Sequence, residues 1–122
     1  MRPFPVNKSN SLKSTSEIDL VFKDGSKLSS KLISLYYVKS DKENSLRIAF
    51  SVGKKTHALA TTRNKLKRLM KEALRLNGHE YLNYSLSYNL VFVYFSSKEE
   101  SMKSIEESMK SLLLSFKNKK LS

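Results

Sequence analysis

The sequence predicts a single α+β domain in which helices pack against one β-sheet, and three observations carry that reading. The apolar spacing switches between helical and alternating periods in the order helix, strands, helix, strand, helix. A length of 122 residues suits one compact domain and leaves little room for a second. An apolar content of 39% supplies a modest core without a large enclosed active-site cavity.

Residues 1–13 hold both prolines, Pro3 and Pro5, among polar residues and read as a flexible or extended arm. Ser14-Thr15-Ser16-Glu17 has the spacing of a capping box, with Ile18, Val21 and Phe22 as the apolar stripe of a short first helix. Gly25 suits its stop. Residues 26–30 are expected to add a short edge strand. Leu32 to Val38, β-branched and aromatic, reads as a second strand, and Lys39 to Ser45 as a hairpin loop. Leu46, Ile48, Phe50 and Val52 alternate with Arg47, Ala49 and Ser51, the pattern of a half-buried strand.

From Thr62 to Asn77 the period becomes helical, with Leu66, Leu69, Met70, Ala73 and Leu74 on one face and Gly78 as the expected cap. A loop with Tyr81 and Tyr84 follows. Leu90 to Phe95 is a continuous apolar run, read as a buried central strand, the fourth of the sheet. Ser97-Lys98-Glu99-Glu100 is a second capping box. It is expected to open a last helix whose Met102, Ile105, Met109, Leu112, Leu113 and Phe116 cover the sheet. The predicted organisation is therefore an arm over 1–13, one domain over 14–117 and a basic tail over 118–122.

The charge is lopsided: 23 Lys and Arg against 11 Asp and Glu give a formal +12. Such an excess repels itself and calls for a polyanionic partner. Charge alone favours nucleic acid, and leaves an anionic membrane surface or a basic solubility bias as alternatives. The chain contains no Cys, which excludes disulfides and thiolate metal sites. No apolar run approaches a membrane span of roughly 18 residues. The start, Met1 to Lys8, lacks the apolar stretch of a secretory signal, so a cytoplasmic location is expected.

The informative stretch runs from Gly53 to Arg75. It holds Lys54, Lys55, Arg63, Lys65, Lys67, Arg68, Lys71 and Arg75 with Glu72 as its one acid. On a helix, Asn64, Lys67, Arg68, Lys71 and Arg75 project within a sector about 100° wide, opposite the leucine stripe. A solvated face normally mixes signs, whereas Lys67, Lys71 and Arg75 repeat one sign at i,i+4 and destabilise the isolated helix. A phosphate backbone would relieve that repulsion.

Ser51-Val52-Gly53-Lys54-Lys55, followed by Ala60-Thr61-Thr62-Arg63-Asn64-Lys65-Leu66-Lys67-Arg68-Leu69-Met70-Lys71-Glu72, resembles the bacterial ribonuclease P protein family. That family has a strand ending S-V-S-K-K and a helix beginning R-N-R-x-K-R-x-x-R-E. The likeness spans roughly residues 11–117. Gly53 stands for the usual Ser, Lys65 and Lys71 for Arg, and Asn89 for Asp, and the Thr56–Leu59 turn is about one residue longer. The Lys replacements keep charge but lose bidentate geometry.

The resemblance implies a four-stranded sheet with a left-handed crossover between two parallel strands, where about 98% of such connections are right-handed. It also implies an RNA-binding cofactor of a ribozyme that removes the 5′ leader from precursor tRNA. The basic helix, with Lys54, Lys55, Arg63, Asn64, Lys65, Lys67, Arg68, Lys71 and Arg75, would meet the catalytic RNA. A cleft using Ile18, Phe22, Ser34 and Tyr36 would hold the leader. Aromatic platforms for bases beside cations for phosphates suit single-stranded RNA. Read from the residues alone, Phe22 is better explained as core packing, and Tyr36 is balanced between the two roles.

No catalytic set is legible in the protein. His57 and His79 sit in expected loops and read as surface decoration. Nucleophile, P-loop and two-metal signatures are absent, and the acids are scattered. Chemistry is therefore assigned to the RNA partner, with Mg2+ required there and no dedicated protein site. The partners expected are the catalytic RNA and precursor tRNA, with no membrane and no obligate protein partner. The rival reading is a non-catalytic RNA-binding module such as a small ribosomal protein or RNA chaperone; a protein-only nuclease is disfavoured.

Overall fold

The computed structural model describes residues 11–42, 45–82 and 86–121. Its elements are α1 (Thr15–Asp24), β1 (Ser26–Ser29), β2 (Ile33–Lys39), β3 (Leu46–Val52), α2 (Ala60–Asn77), a 3₁₀ turn (Gly78–Glu80), β4 (Tyr88–Tyr94) and α3 (Met102–Leu121). The four strands form one sheet in the order β1-β2-β4-β3. β2 pairs antiparallel with β1 and with β4, whereas β3 and β4 run parallel. Parallel neighbours need a crossover, and α2 supplies it.

Alternation along the strands sends side chains to two differently covered faces. On one face Leu35, Ile48, Phe92 and Tyr94 meet Leu66, Met70 and Leu74 of α2, and Ile105, Met109 and Phe116 of α3. The other face is thinly covered. There Val21 of α1 and Leu12 join Val91, with Ile18, Tyr36, Val38, Ala49 and Val93 partly buried around them. Tyr36 and Tyr37 accordingly point opposite ways: the Tyr37 ring stands edge-on to Phe116 at 5.1 Å, inside the main core.

Several boundaries differ from the sequence expectation, each for a physical reason. Residues 11 and 12, assigned to the arm, lie along β3: Ser11 bridges Ile48, the Leu12 N–H donates to the Ile48 carbonyl at 2.9 Å, and the Leu12 side chain is buried. The rest of the arm, the middle of the 39–45 loop and Tyr84 lie outside the described residues. The last helix starts at Met102, not at Ser97. The buried Tyr94 hydroxyl donates to the Lys98 carbonyl at 2.6 Å and accepts the Glu100 N–H at 3.1 Å, holding that segment out of the helix. Ser101 caps instead, accepting the Ser104 N–H at 3.2 Å. The backbone of 118–121, expected as a tail, continues α3.

Ser14 does cap α1, accepting the Glu17 N–H at 3.4 Å. Gly25 ends it for a reason other than a left-handed turn, since its φ is −78°. A Cβ there would fall 2.3 Å from the Val21 carbonyl oxygen and 2.7 Å from that of Tyr37. Only Gly lets the helix end press this closely on β2, and that contact sets where α1 crosses the sheet.

Candidate RNA-binding surface

The floor of the first surface is α2 itself. Leu66, Met70, Ala73 and Leu74 are fully buried, and Asn64, Arg68 and Lys71 are exposed on the far side, with Lys67 half-buried beside them. The cations do not form one uniform ladder. Arg75 bonds both carboxylate oxygens of Glu72, with Nε to Oε2 at 2.9 Å. That pairing holds the Glu72 carboxyl below its ordinary range and pushes the Arg75 guanidinium up. Lys65 reaches Glu99, ahead of α3, at 3.5 Å. By contrast, the side chains of Lys54, Lys55, Lys67, Arg68 and Lys71 pair with no acid among the described residues.

Arg63 has a structural job. Its Nη1 donates to the carbonyls of His57 at 3.0 Å and Ala58 at 2.7 Å, tying the helix start to the loop before it. His57 is not surface decoration: it is only 8% exposed, and its Nε2 bonds the Ser96 carbonyl at 2.8 Å with the ring 5.8 Å from that of Tyr94. Because the carbonyl can only accept, Nε2–H is the donor. The loop carrying exposed Lys54 and Lys55 is thus anchored through His57 and Ala58, to Ser96 just past β4 and to Arg63 of α2. His79 is exposed in the 3₁₀ turn and engages a neighbour.

The second surface is the open end of the thinly covered sheet face. Phe22 is 40% exposed and is no part of either core; Val21 carries that role for α1. Its ring stands edge-on to Tyr36, centroids 4.9 Å apart and planes at 70°. Ile18 packs into the small cluster under α1, against Tyr36 and its neighbours. Ser34, at 5% exposed, is spent on a 2.9 Å hydroxyl pair with Ser29. Glu17 on α1 faces Arg47 on β3 at 3.9 Å, a partly exposed pair that contributes little.

Sequence reasoning missed Lys27, whose Nζ lies 5.5 Å from the Tyr36 ring centroid. The β1–β2 register that sets Lys27 opposite Tyr36 is a long-range fact. No local pattern announces it. The cleft therefore combines two rings and a cation on one face. Chemically this arrangement can stack bases and neutralise phosphates. Among the described residues no three His, Asp or Glu side chains gather to hold a metal.

Comparison with known proteins agrees with this geometry. The family model for Ribonuclease P matches residues 6–117. The ribonuclease P protein component of Clostridioides difficile is 37% identical over 100 residues, covering 81% of this chain and 84% of that protein. The component from Clostridium kluyveri is 38% identical over 82 residues, covering 67% and 70%. Two solved structures share the fold. The Staphylococcus aureus RNase P protein matches with a TM-score of 0.74 at 21% identity, covering 89% of this chain and 96% of that one. The Thermotoga maritima protein matches at 0.70 with 24% identity, covering 84% and 94%. With residues 6–117 matched by the family model and 81% of its length matched at 37% identity by a relative, the chain belongs to the ribonuclease P protein family.

Proposed function

We propose that this chain is the RNA-binding protein cofactor of ribonuclease P, assisting a catalytic RNA in endonucleolytic removal of the 5′ leader from precursor tRNA. One observation carries the reading: a helix with one buried face presents on the other Lys67, Arg68 and Lys71, which meet no acid among the described residues, in a chain of this family. Lys54, Lys55, Asn64, Lys67, Arg68 and Lys71 are the primary contacts to the catalytic RNA. Arg63, Lys65 and Arg75, already engaged with protein groups, flank them as weaker contacts. Phe22 and Tyr36 stack leader bases, with Ile18 and Ser34 forming the packed floor beneath. The family likeness also supports a left-handed β3–α2–β4 crossover, with α2 carried on it towards the RNA.

The protein's part is positioning and charge neutralisation. Cations that meet the RNA backbone lower the cost of assembling two polyanions, and a held leader raises affinity for precursor over mature tRNA. The magnesium ions that activate water belong to the RNA in this reading. Among the described residues no helix is long and apolar enough to cross a membrane.

The test is cleavage of precursor tRNA by protein alone, by catalytic RNA alone and by both, across a magnesium series. The mixture is expected to cleave at magnesium concentrations where the RNA alone is inactive, and the protein alone is expected to cleave nothing. Site-specific cleavage by RNA-free protein would overturn the assignment.

A further inference from the structure

A third aromatic stands open on the leader-binding face of the sheet. Phe95 follows the apolar run of β4 yet is 45% exposed, as open as Phe22. Its orientation follows from strand alternation. Leu90, Phe92 and Tyr94 belong to the core under α2 and α3, whereas Val91 and Val93 belong to the cluster on the α1 face. The Phe95 N–H donates to the Leu32 carbonyl at 3.0 Å, so pairing with the β2 side continues past the end of β4. Leu32 precedes β2 and turns into the main core, whereas Phe95 belongs to neither buried cluster; the alternation of β4 itself, continued by one residue, carries Phe95 to the face of Val93 and Tyr36.

Between Tyr36 and Phe95 the face is low. Ser34, Val93 and Ser51 are register partners that make a row of short side chains, and the cluster under α1 gathers around the Tyr36–Val91–Ala49 row. Phe95 is four residues beyond Val91, the partner of Tyr36, and one strand across. That places the Cα atoms of Phe95 and Tyr36 about 14 Å apart on the sheet.

Cations are fixed at the same end. β3 ends with Val52 paired to Tyr94, so Gly53, Lys54 and Lys55 leave the sheet beside Phe95. His57 ties that loop to the Ser96 carbonyl, one residue past the ring. An exposed ring set between short side chains and two lysines that meet no acid among the described residues has the make-up of a single-stranded RNA platform. A lone exposed Phe is unremarkable on a protein surface; one in line with two other rings and locked to a cationic loop is placed for a base.

We propose that Phe95 is a further stacking platform for the leader, taking bases nearer the cleavage site than those at Phe22 and Tyr36. The order follows from the proposed function: the Phe95 end adjoins the 53–59 loop and the start of α2, the elements assigned there to the catalytic RNA that cleaves the leader. The proposal rests on the leader-cleft reading above.

The test uses reconstituted holoenzyme and the ratio of precursor to mature tRNA affinity, with melting curves in parallel. Phe95→Ala is expected to lower the ratio by about fivefold or more, and Phe95→Tyr to preserve it, because the ring does the stacking. Phe95→Leu, apolar but ringless, is expected to behave like Ala. With the leader shortened from its 5′ end until Tyr36→Ala no longer matters, Phe95→Ala is still expected to weaken binding. A wild-type ratio for Phe95→Ala while Tyr36→Ala lowers it would sink this proposal and leave the cleft reading standing. Wild-type ratios for both would sink the two together. Full rescue by Leu would reduce Phe95 to apolar cover, and loss of both effects on shortening would overturn the order along the leader.

Discussion

Neutralising Lys67, Arg68 and Lys71 together to Gln removes three cations that the fold leaves without acidic partners among the described residues. Gln is close to Lys and Arg in helix propensity, and the buried face of α2 is untouched, so the domain should keep its fold. Each lost phosphate contact lowers the slope of log affinity against log salt by roughly 0.7 to 0.9, so the triple variant should lose about 2.1 to 2.7. A fourfold rise in salt should then cost the wild-type protein roughly 20- to 40-fold more affinity than the variant. The structure adds an internal control. Glu72→Gln with Arg75→Gln deletes a pair whose charges already cancel, and should change the slope by less than half a contact. The assay is titration of the catalytic RNA with protein across a salt series, with circular dichroism melts to verify folding. A folded triple variant with the wild-type slope would show that this face is merely solvated. A control variant losing a full contact or more would show that the Glu72–Arg75 pair opens on binding.

Three other outcomes follow from local geometry. Tyr36→Ala and Phe22→Ala should each lower the precursor-to-mature affinity ratio by about fivefold or more, with little change in Tm for the exposed Phe22; a retained ratio in both would place the leader elsewhere. Gly25→Ala should cost about 1–3 kcal/mol, because the new Cβ collides with two carbonyl oxygens at the α1–β2 joint, and an unchanged Tm would contradict that. Tyr94→Phe should cost about 1–3 kcal/mol near neutral pH by leaving the Lys98 carbonyl and Glu100 N–H without their partner. Burial pushes the Tyr94 phenol up, so the unfolded chain ionises first. The wild-type advantage over Tyr94→Phe is therefore complete below pH about 10 and should shrink as pH climbs towards the raised folded value. A stability difference flat across that range would refute the burial argument.

The sequence by itself determined the kind and order of every major element, because a side chain's face within a helix or strand follows from local period alone. Leu66 to Leu74 declared the buried side of α2, and Leu46 to Val52 declared β3, without reference to anything distant. The helix ends were less legible. Ser97 had the spacing of a capping box, yet Ser101 caps the helix because a buried tyrosine hydroxyl from β4 occupies the backbone between them. The candidate surface divides the same way. Its composition was readable as a run of cations, yet which of them stay unpaired was not. Lys65 meets Glu99 only because α2 and the segment before α3 are brought together across 34 residues of chain. Lys27 lies against Tyr36 only through strand register, and His57, legible as a loop residue, became a buried clamp when its loop closed on Ser96. Periodicity fixes what a residue faces within its own element; tertiary structure alone decides what it meets there, because the partner comes from a segment that no local pattern specifies.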